Sequence, residues 1–248
     1  MANNIVVTMA GRGSRFYDAG YKVPKYEIDA FGSSLFNWSM RSLKNFILPN
    51  SRIIFVCLAE NNSSAFVRAQ CKDLDIKNIH IVELDSITDG QATSAYLSRD
   101  LWDLDGSLLI YNIDTYLLAE SIKPEDIRAE SDGWIPCFPA SGDHWSFVRL
   151  DKQGWADLVV EKNRVSDHAS VGLYWFRVSN DYSEAYEVFF ANKDNLVKGE
   201  KYVAPLYQHF IESRKKISIS ELPTTSVHVL GTPNELKEFL SKKVEDII

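Results

Sequence analysis

With three cysteines among 248 residues and no C-x-x-C pair, the chain offers neither a disulfide framework nor a zinc knuckle. Cys57 lies in an apolar run and reads as ordinary core. That run, Ile53 to Ala59, is the longest apolar stretch and falls far short of a bilayer span. Basic charge is scarce as well. Against 34 Asp and Glu stand 27 Lys and Arg, a net charge of −7, so the footprint of a nucleic-acid binder is missing. Met1-Ala2-Asn3-Asn4 places no basic segment ahead of an apolar one, and a secretory signal is not expected. The histidines (His80, His144, His168, His209, His228) show no H-E-x-x-H spacing, and no Ser/His/Asp or Cys/His set is apparent. Glycine and proline form no linker, and there is no repeat or low-complexity tract. These absences predict a cytoplasmic protein without membrane insertion and without a nucleic-acid partner.

What is present is an ordinary globular balance, 45% hydrophobic and 25% charged, in a length that suits one large α/β unit. Ile5–Met9 and Ile53–Leu58 read as buried strands, and Ile79–Leu84 and Leu108–Ile113 as a third and a fourth strand. Helical spacing falls between them: Leu35, Phe36, Met40, Leu43 and Ile47 after a capping Ser33-Ser34; Ala65, Phe66 and Ala69; and about Ala92 to Trp102. This alternation argues for a mostly parallel sheet. Further on, Trp134–Phe138, Ser146–Leu150, Asp157–Val160 and Ser170–Phe176 are strands with little helix between, which predicts mixed or antiparallel pairing. Helices near Tyr182–Asn192 and Val203–Arg214 and strands at Ile217–Ser220 and Val227–Leu230 follow. Thr232-Pro233-Asn234-Glu235 reads as a capping box opening a last helix that runs close to the C-terminus.

The first strand runs straight into Ala10-Gly11-Arg12-Gly13-Ser14-Arg15. Glycines there let backbone N–H groups approach phosphate oxygens, and Arg15 can add a bidentate contact. In an open α/β sheet, ligands bind at this carboxyl end of the strands. No G-K-[ST] follows, so this is not a Walker A loop, and Phe16 stands where the dinucleotide fingerprint has its third glycine. Lys25, fixed after Pro24, can neutralise a phosphate chain from the same sheet end. Taken singly, each feature also suits a tight turn or a solvated cation.

Together, the strand, A-G-x-G-S-R-F and the P-K step resemble the signature of the sugar-1-phosphate nucleotidylyltransferases, the pyrophosphorylases that make nucleotide sugars. The resemblance covers nearly the whole chain. It implies an α/β, Rossmann-like, glycosyltransferase-A-type three-layer sandwich with a mostly parallel central mixed sheet. It implies a single domain over 1–248, with a nucleotide-binding half at 1–115 and an acceptor-binding half plus C-terminal helix at 116–248. Asp89-Gly90-Gln91-Ala92 is similar to the family's base-recognition loop, though Asp89 also suits a helix N-cap. Tyr111-Asn112-Ile113-Asp114 resembles the strand end whose aspartate holds Mg²⁺. Nucleotide contacts are thereby implied for Ala10, Gly11, Gly13, Ser14, Gly90, Gln91 and Asn112, with Arg15 and Lys25 on the triphosphate and Asp114 on the metal. Val160-Glu161-Lys162 resembles the family's E-K step, in which Glu161 would hold sugar hydroxyls and Lys162 the sugar phosphate. Gly172 would leave room for a sugar ring, with Trp145 and Tyr202 nearby and His144 and His168 close to the acceptor end. Gly133–Phe138, His144–Phe147 and Lys201–Tyr207 resemble features of a capsule- and surface-polysaccharide-associated branch, to which the match is closest.

Two departures bear on the site. Tyr26 and Glu27 replace the family's usual proline and leucine after P-K. Val229 replaces an aspartate that is a second metal ligand in many members, and His228 beside it would face the other way on a strand. Metal binding would then rest on Asp114 with phosphate oxygens, water or Asp167. The implied partners are a nucleoside triphosphate, a phosphorylated small-molecule acceptor and, as a homo-oligomer, a second copy of the chain. Three alternatives stay open: a cytidylyltransferase acting on phosphocholine or a polyol phosphate, whose aromatics (Trp145, Tyr174, Trp175, Tyr202) suit a quaternary ammonium; a glycosyltransferase of similar fold, opposed by Asp114-Thr115-Tyr116 in place of D-x-D; and a catalytically weak nucleotide-binding homologue, supported by Val229.

Overall fold

Ile5, Val6 and Val7 are consecutive and fully buried, so their strand must be covered on both faces. A computed structural model, describing residues 2–247, shows how. In chain order the elements are β1 (Ala2–Thr8), α1 (Ser14–Asp18), β2 (Asp29–Ala30), β3 (Ser33–Ser34), α2 (Leu35–Arg41), β4 (Arg52–Leu58), α3 (Ser64–Asp73), β5 (Ile79–Leu84), α4 (Gln91–Tyr96), β6 (Ser107–Asn112) and β7 (Thr115–Leu117). Then come β8 (Gly133–Pro139), β9 (Ser146–Leu150), β10 (Ala156–Glu161), β11 (His168–Ser170), β12 (Leu173–Phe176), α5 (Ser179–Ala191), α6 (Leu206–Glu212), β13 (Ile217–Glu221), β14 (Val227–Val229) and α7 (Pro233–Leu240).

A 10-stranded sheet runs β5-β4-β1-β6-β12-β8-β11-β9-β10, with β13 also on β8. Pairing is parallel across β5, β4, β1 and β6 and turns antiparallel at β12. One face of the sheet packs Phe36, Met40, Val67 and Cys71 from α2 and α3. The other packs Ala92, Tyr182, Tyr186, Leu206 and Phe210 from α4, α5 and α6. The result is the expected three-layer α/β sandwich with a mixed sheet. Among the described residues no helix is long and apolar enough to cross a membrane.

Several local expectations change. The glycine-rich turn carries a short helix, α1, whose N-cap Gly13 adopts a left-handed φ of 63°. The helix expected from Ala92 to Trp102 is α4 followed by a 3-10 turn at Arg99–Leu101. Its N-cap is Gly90 rather than Asp89. The strand expected over Ser170–Phe176 is broken at Gly172 into β11 and β12. The final helix stops at Leu240.

The two-stranded ladder of β7 and β14 pairs Thr115 with Val229, and Leu230 N–H donates to Asp114 O at 2.8 Å. Beneath it, Trp38, Tyr116, Leu236 and Phe239 form a third apolar cluster that docks α7. This ladder brings the segment after β14 beside the end of β6.

Candidate active site

A cavity of about 520 Å³ opens at the carboxyl ends of β1 and β6. It is lined from both halves of the chain, by residues between Thr8 and Thr115 and between His144 and Glu235. Ala10, Gly11, Arg15, Lys25, Gly90, Gln91, Asn112, Asp114, Trp145, Glu161, Lys162, Gly172 and Tyr202 all line it. Gly13 and Ser14 do not. Gly13 instead backs onto the lysine loop, where a Cβ would lie 3.7 Å from Lys25 Cβ.

At one end, Lys25 begins a 3-10 turn, Lys25–Glu27. Tyr26 is buried there and bonds the Ser63 hydroxyl. Burial pushes its phenol up to about 12, so it stays a neutral anchor. The anchor aims Lys25 inward, and its ammonium donates to Asp114 Oδ2 at 2.8 Å. Both side chains are only partly exposed, 17% and 29%.

Asp89-Gly90-Gln91 forms the next wall. Gln91 Nε2 donates to Thr8 Oγ1 at 3.1 Å and to Asn112 Oδ1. Asn112 in turn explains the break at Gly172. A Cβ there would meet Asn112 Nδ2 at 2.5 Å, so the space over the glycine holds this amide. A strap at 200–202 is stitched to the loop. Lys201 N–H donates to Asp89 O at 2.7 Å, and Ala92 N–H donates to Lys201 O at 3.1 Å. The Lys201 ammonium lies 2.9 Å from Asp89 Oδ2. Partial burial opposes ionisation of Asp89, but the Thr93 hydroxyl and Lys201 together hold its pKa below the usual range.

Glu161 and Lys162 close the far end. Neighbours on a strand point to opposite faces, yet both face the cavity. The cause is a left-handed φ of 53° at Lys162, which turns the chain as β10 ends. Lys162 N–H is held by Trp145 O at 2.8 Å. The Glu161 side chain is 6% exposed and accepts from the Ser146 hydroxyl. Ser146 Oγ also lies 3.2 Å from the Tyr174 hydroxyl. Burial raises the Glu161 pKa, with Ser146 and Lys162 pulling the other way. The Lys162 ammonium donates to the Tyr202 hydroxyl and lies 4.2 Å from that ring's centroid. His144 packs on Trp145, with ring centroids 4.6 Å apart.

Other candidates fall elsewhere. Asp167 is exposed, pairs with Arg164 at 2.6 Å and is absent from the lining, so it is no neighbour of Asp114. His168 binds Val148 O and Glu221 outside the cavity. Trp175 is buried away from the lining. His228 is buried against Tyr116, and burial with the Lys242 ammonium pushes its pKa down to about 4. The sequence did not single out Thr8, Thr88, Ser94, Ser146, Glu200 or Glu235 as site residues, though all line the cavity. Ser146 was within reach, because it is the direct cross-strand partner of Glu161 in the β9–β10 hairpin.

No protein-family model matches the chain, and no curated protein matches it. Solved structures do. The nucleoside-diphosphate-sugar pyrophosphorylase from Vibrio cholerae RC9 is 33% identical, with a TM-score of 0.88 over 96% of this chain and 100% of that one. The inositol-1-phosphate CTP transferase from T. maritima is 15% identical, with a TM-score of 0.76 over 100% and 98% of the two chains. A putative glucose-1-phosphate thymidylyltransferase from Bacillus anthracis, in complex with a sucrose, is 14% identical, with a TM-score of 0.76 over 95% and 92%. These last two likenesses concern the fold alone.

Proposed function

Because this chain belongs to the nucleoside-diphosphate-sugar pyrophosphorylase family and is a nucleotidyltransferase, we propose that it joins a nucleoside triphosphate to a hydroxyl-rich sugar-1-phosphate and releases pyrophosphate. The observation that carries this reading is the polarity of one cavity. Lys25 and Arg15 stand at one end, and Lys162 with a hydroxyl-flanked Glu161 at the other.

In the proposed reaction a phosphate oxygen of the acceptor attacks the α-phosphorus in line. A new P–O bond forms as the α–β bridging bond breaks, and pyrophosphate leaves with that electron pair. The nucleophile is already an anion, so no general base is needed. Catalysis is positioning and charge neutralisation. Arg15 and Lys25 hold the triphosphate, with Ala10 and Gly11 offering close backbone approach. Gly90, Gln91 and Asn112 border the base, and Lys162 holds the attacking phosphate. Asp114 fits a divalent ion such as Mg²⁺, because its Oδ2 already draws a cation, Lys25, into the cavity. Once bound, such an ion would offset negative charge on the phosphate oxygens.

Glu161 favours a hydroxylated acceptor over phosphocholine. A buried carboxylate beside the Ser146 and Tyr174 hydroxyls suits an acceptor that donates hydrogen bonds. The Lys162 ammonium already lies against Tyr202 and would repel a trimethylammonium. The features at 133–138, 144–147 and 201–207 lead us to place the product in surface-polysaccharide synthesis.

The test is a pyrophosphate-release screen with Mg²⁺, crossing NTPs and dTTP with sugar-1-phosphates, polyol phosphates and phosphocholine. Turnover with one triphosphate and one sugar phosphate is the expected result. Turnover with phosphocholine alone would sink the acceptor assignment, and silence from a folded sample would sink the reaction.

Glu161 also predicts a pH dependence. Its pKa is raised, so protonation begins above the ordinary carboxylate range and removes acceptor capacity. KM for the acceptor should therefore rise as pH falls through that raised pKa, and Glu161→Gln should lose that part of the dependence, keeping only what the acceptor phosphate's own titration contributes. The sign for stability is opposite. A carboxyl with a raised folded pKa favours folding in its protonated form and loses that contribution as pH rises through the folded pKa. Glu161→Gln should thus melt above wild type at neutral pH while binding acceptor less well. A wild-type KM that rises no more than that of Glu161→Gln as pH falls from neutral into the carboxylate range, measured with about 0.15 M salt, would refute the carboxylate role.

A further inference from the structure

Resting on the transfer reading above, we propose that Glu235, from the first turn of α7, is the second carboxylate for the divalent cation at Asp114, the part that Val229 cannot play. Val229 lines the cavity and pairs with Thr115 in the β14–β7 ladder, but its side chain is aliphatic. Glu235 lines the same cavity from across Gly231. Its Oε2 is buried with no hydrogen-bond partner among the described residues. A carboxylate oxygen left in that state needs a cation or a donor.

The geometry converges on Gly231. A Cβ at that position would lie 3.2 Å from Asp114 Oδ2 and 3.5 Å from Glu235 Oε2. Both oxygens thus border the space that a side chain at Gly231 would fill, and glycine leaves that space open. Lys25 Nζ, 2.8 Å from Asp114 Oδ2, shows that this oxygen accepts a cation.

A purely structural Glu235 would look different. Thr232 Oγ1 accepts from Glu235 N–H at 3.3 Å, which is half of a capping box. The other half needs the Glu235 carboxylate to turn back to the Thr232 N–H. Its Oε2 instead stays unpaired on the cavity side. Among the described residues no group of three or more His, Cys, Asp or Glu gathers to hold a metal. Two carboxylates completed by water and substrate phosphates is the arrangement Mg²⁺ ordinarily takes.

The experiment is a titration with Mn²⁺ alone, reading the free ion by electron paramagnetic resonance, on folded wild type, Glu235→Gln, Val229→Asp/Glu235→Gln and Glu238→Gln. Melting curves check that each variant is folded. Glu235→Gln should weaken Mn²⁺ binding by about 10-fold or more, the usual scale for losing a group that supports a metal. The double variant, with its carboxylate restored from β14, should recover most of that loss. Glu238, exposed on the same helix, should not matter. Equal affinity in wild type and Glu235→Gln, no Mn²⁺ bound by wild type, or no recovery in a folded double variant would each overturn the assignment. Pyrophosphate release judges the transfer reading separately. Mn²⁺ held through Glu235 with no turnover on any substrate pair would sink that reading alone, and turnover without a Glu235 effect on Mn²⁺ would sink this one alone.

Discussion

Lys25→Ala is expected to lower kcat/KM for pyrophosphate release by on the order of 10²- to 10³-fold, the cost of removing one positioned donor from a charged transition state. The argument starts from the turn. Tyr26 is buried and bonded to Ser63, so the lysine beside it is presented to the cavity by a fixed backbone. Its ammonium faces Asp114 Oδ2 at 2.8 Å. If Lys25 served only as a surface partner for Asp114, its loss would cost about 1 kcal/mol of stability or less and leave turnover intact. In the transfer reading, a triphosphate and a divalent ion draw Lys25 from the carboxylate to the phosphates. Lys25→Ala should then raise the affinity for Mn²⁺ alone, because Asp114 is freed, while turnover collapses. Lys25→Arg keeps the charge but not the point geometry and should fall between the two. Near-normal turnover in Lys25→Ala would remove the lysine from the machinery.

The parallel half of the sheet was legible because its inner strands, β1, β4 and β6, are buried on both faces, although β5 at the edge is only half-buried. Ile53 to Leu58 is a continuous apolar run, and the helices between strands keep a helical period. The order of the motifs carried the resemblance, and the three-layer sandwich followed from it. What escaped the sequence depends on partners distant along the chain. β7 and β14 are three residues each, too short to show a period, yet their pairing brings Val229 and Glu235 to Asp114's side of the fold. The break at Gly172 is imposed by the Asn112 amide from another strand. The Glu161-Lys162 pair was legible as residues but not as geometry. Only the left-handed backbone at Lys162 turns both side chains inward, and no residue type there announces it. Glu235 reads in the sequence as a capping residue because its spacing from Thr232 fits a box. Its unpaired oxygen becomes visible only once α7 is docked.

Gly90→Ala should separate the fold's contribution to the site from that of its charges. Gly90 has φ 142°, and an added Cβ would lie 2.2 Å from Lys201 O and 2.6 Å from Lys201 N. Those are backbone atoms, so no side-chain rotation can relieve the contact. The strap itself must move, and with it the bonds from Lys201 to Asp89 O and from Ala92 to Lys201 O. Backbone strain and overpacking of this kind cost about 1–3 kcal/mol each. Together, at about 2–4 °C per kcal/mol for a chain of this size, they correspond to a melting temperature lower by roughly 4–24 °C. The strap also carries Glu200 and Tyr202 into the cavity, and Tyr202 holds the Lys162 ammonium. KM should therefore rise for both the triphosphate and the acceptor, although Gly90 lies in the loop next to the proposed base site. Lys201→Ala is the comparison. It removes the ion pair with Asp89 but leaves the backbone bonds, so its melting temperature should stay nearer to wild type. Gly11→Ala is the steric control, since nothing lies within 4 Å of a Cβ there. If Gly90→Ala melts like Gly11→Ala with both KM values unchanged, the strap does not couple the two ends of the cavity. If both KM values rise together, one backbone contact between two distant loops holds the nucleotide and acceptor ends in register.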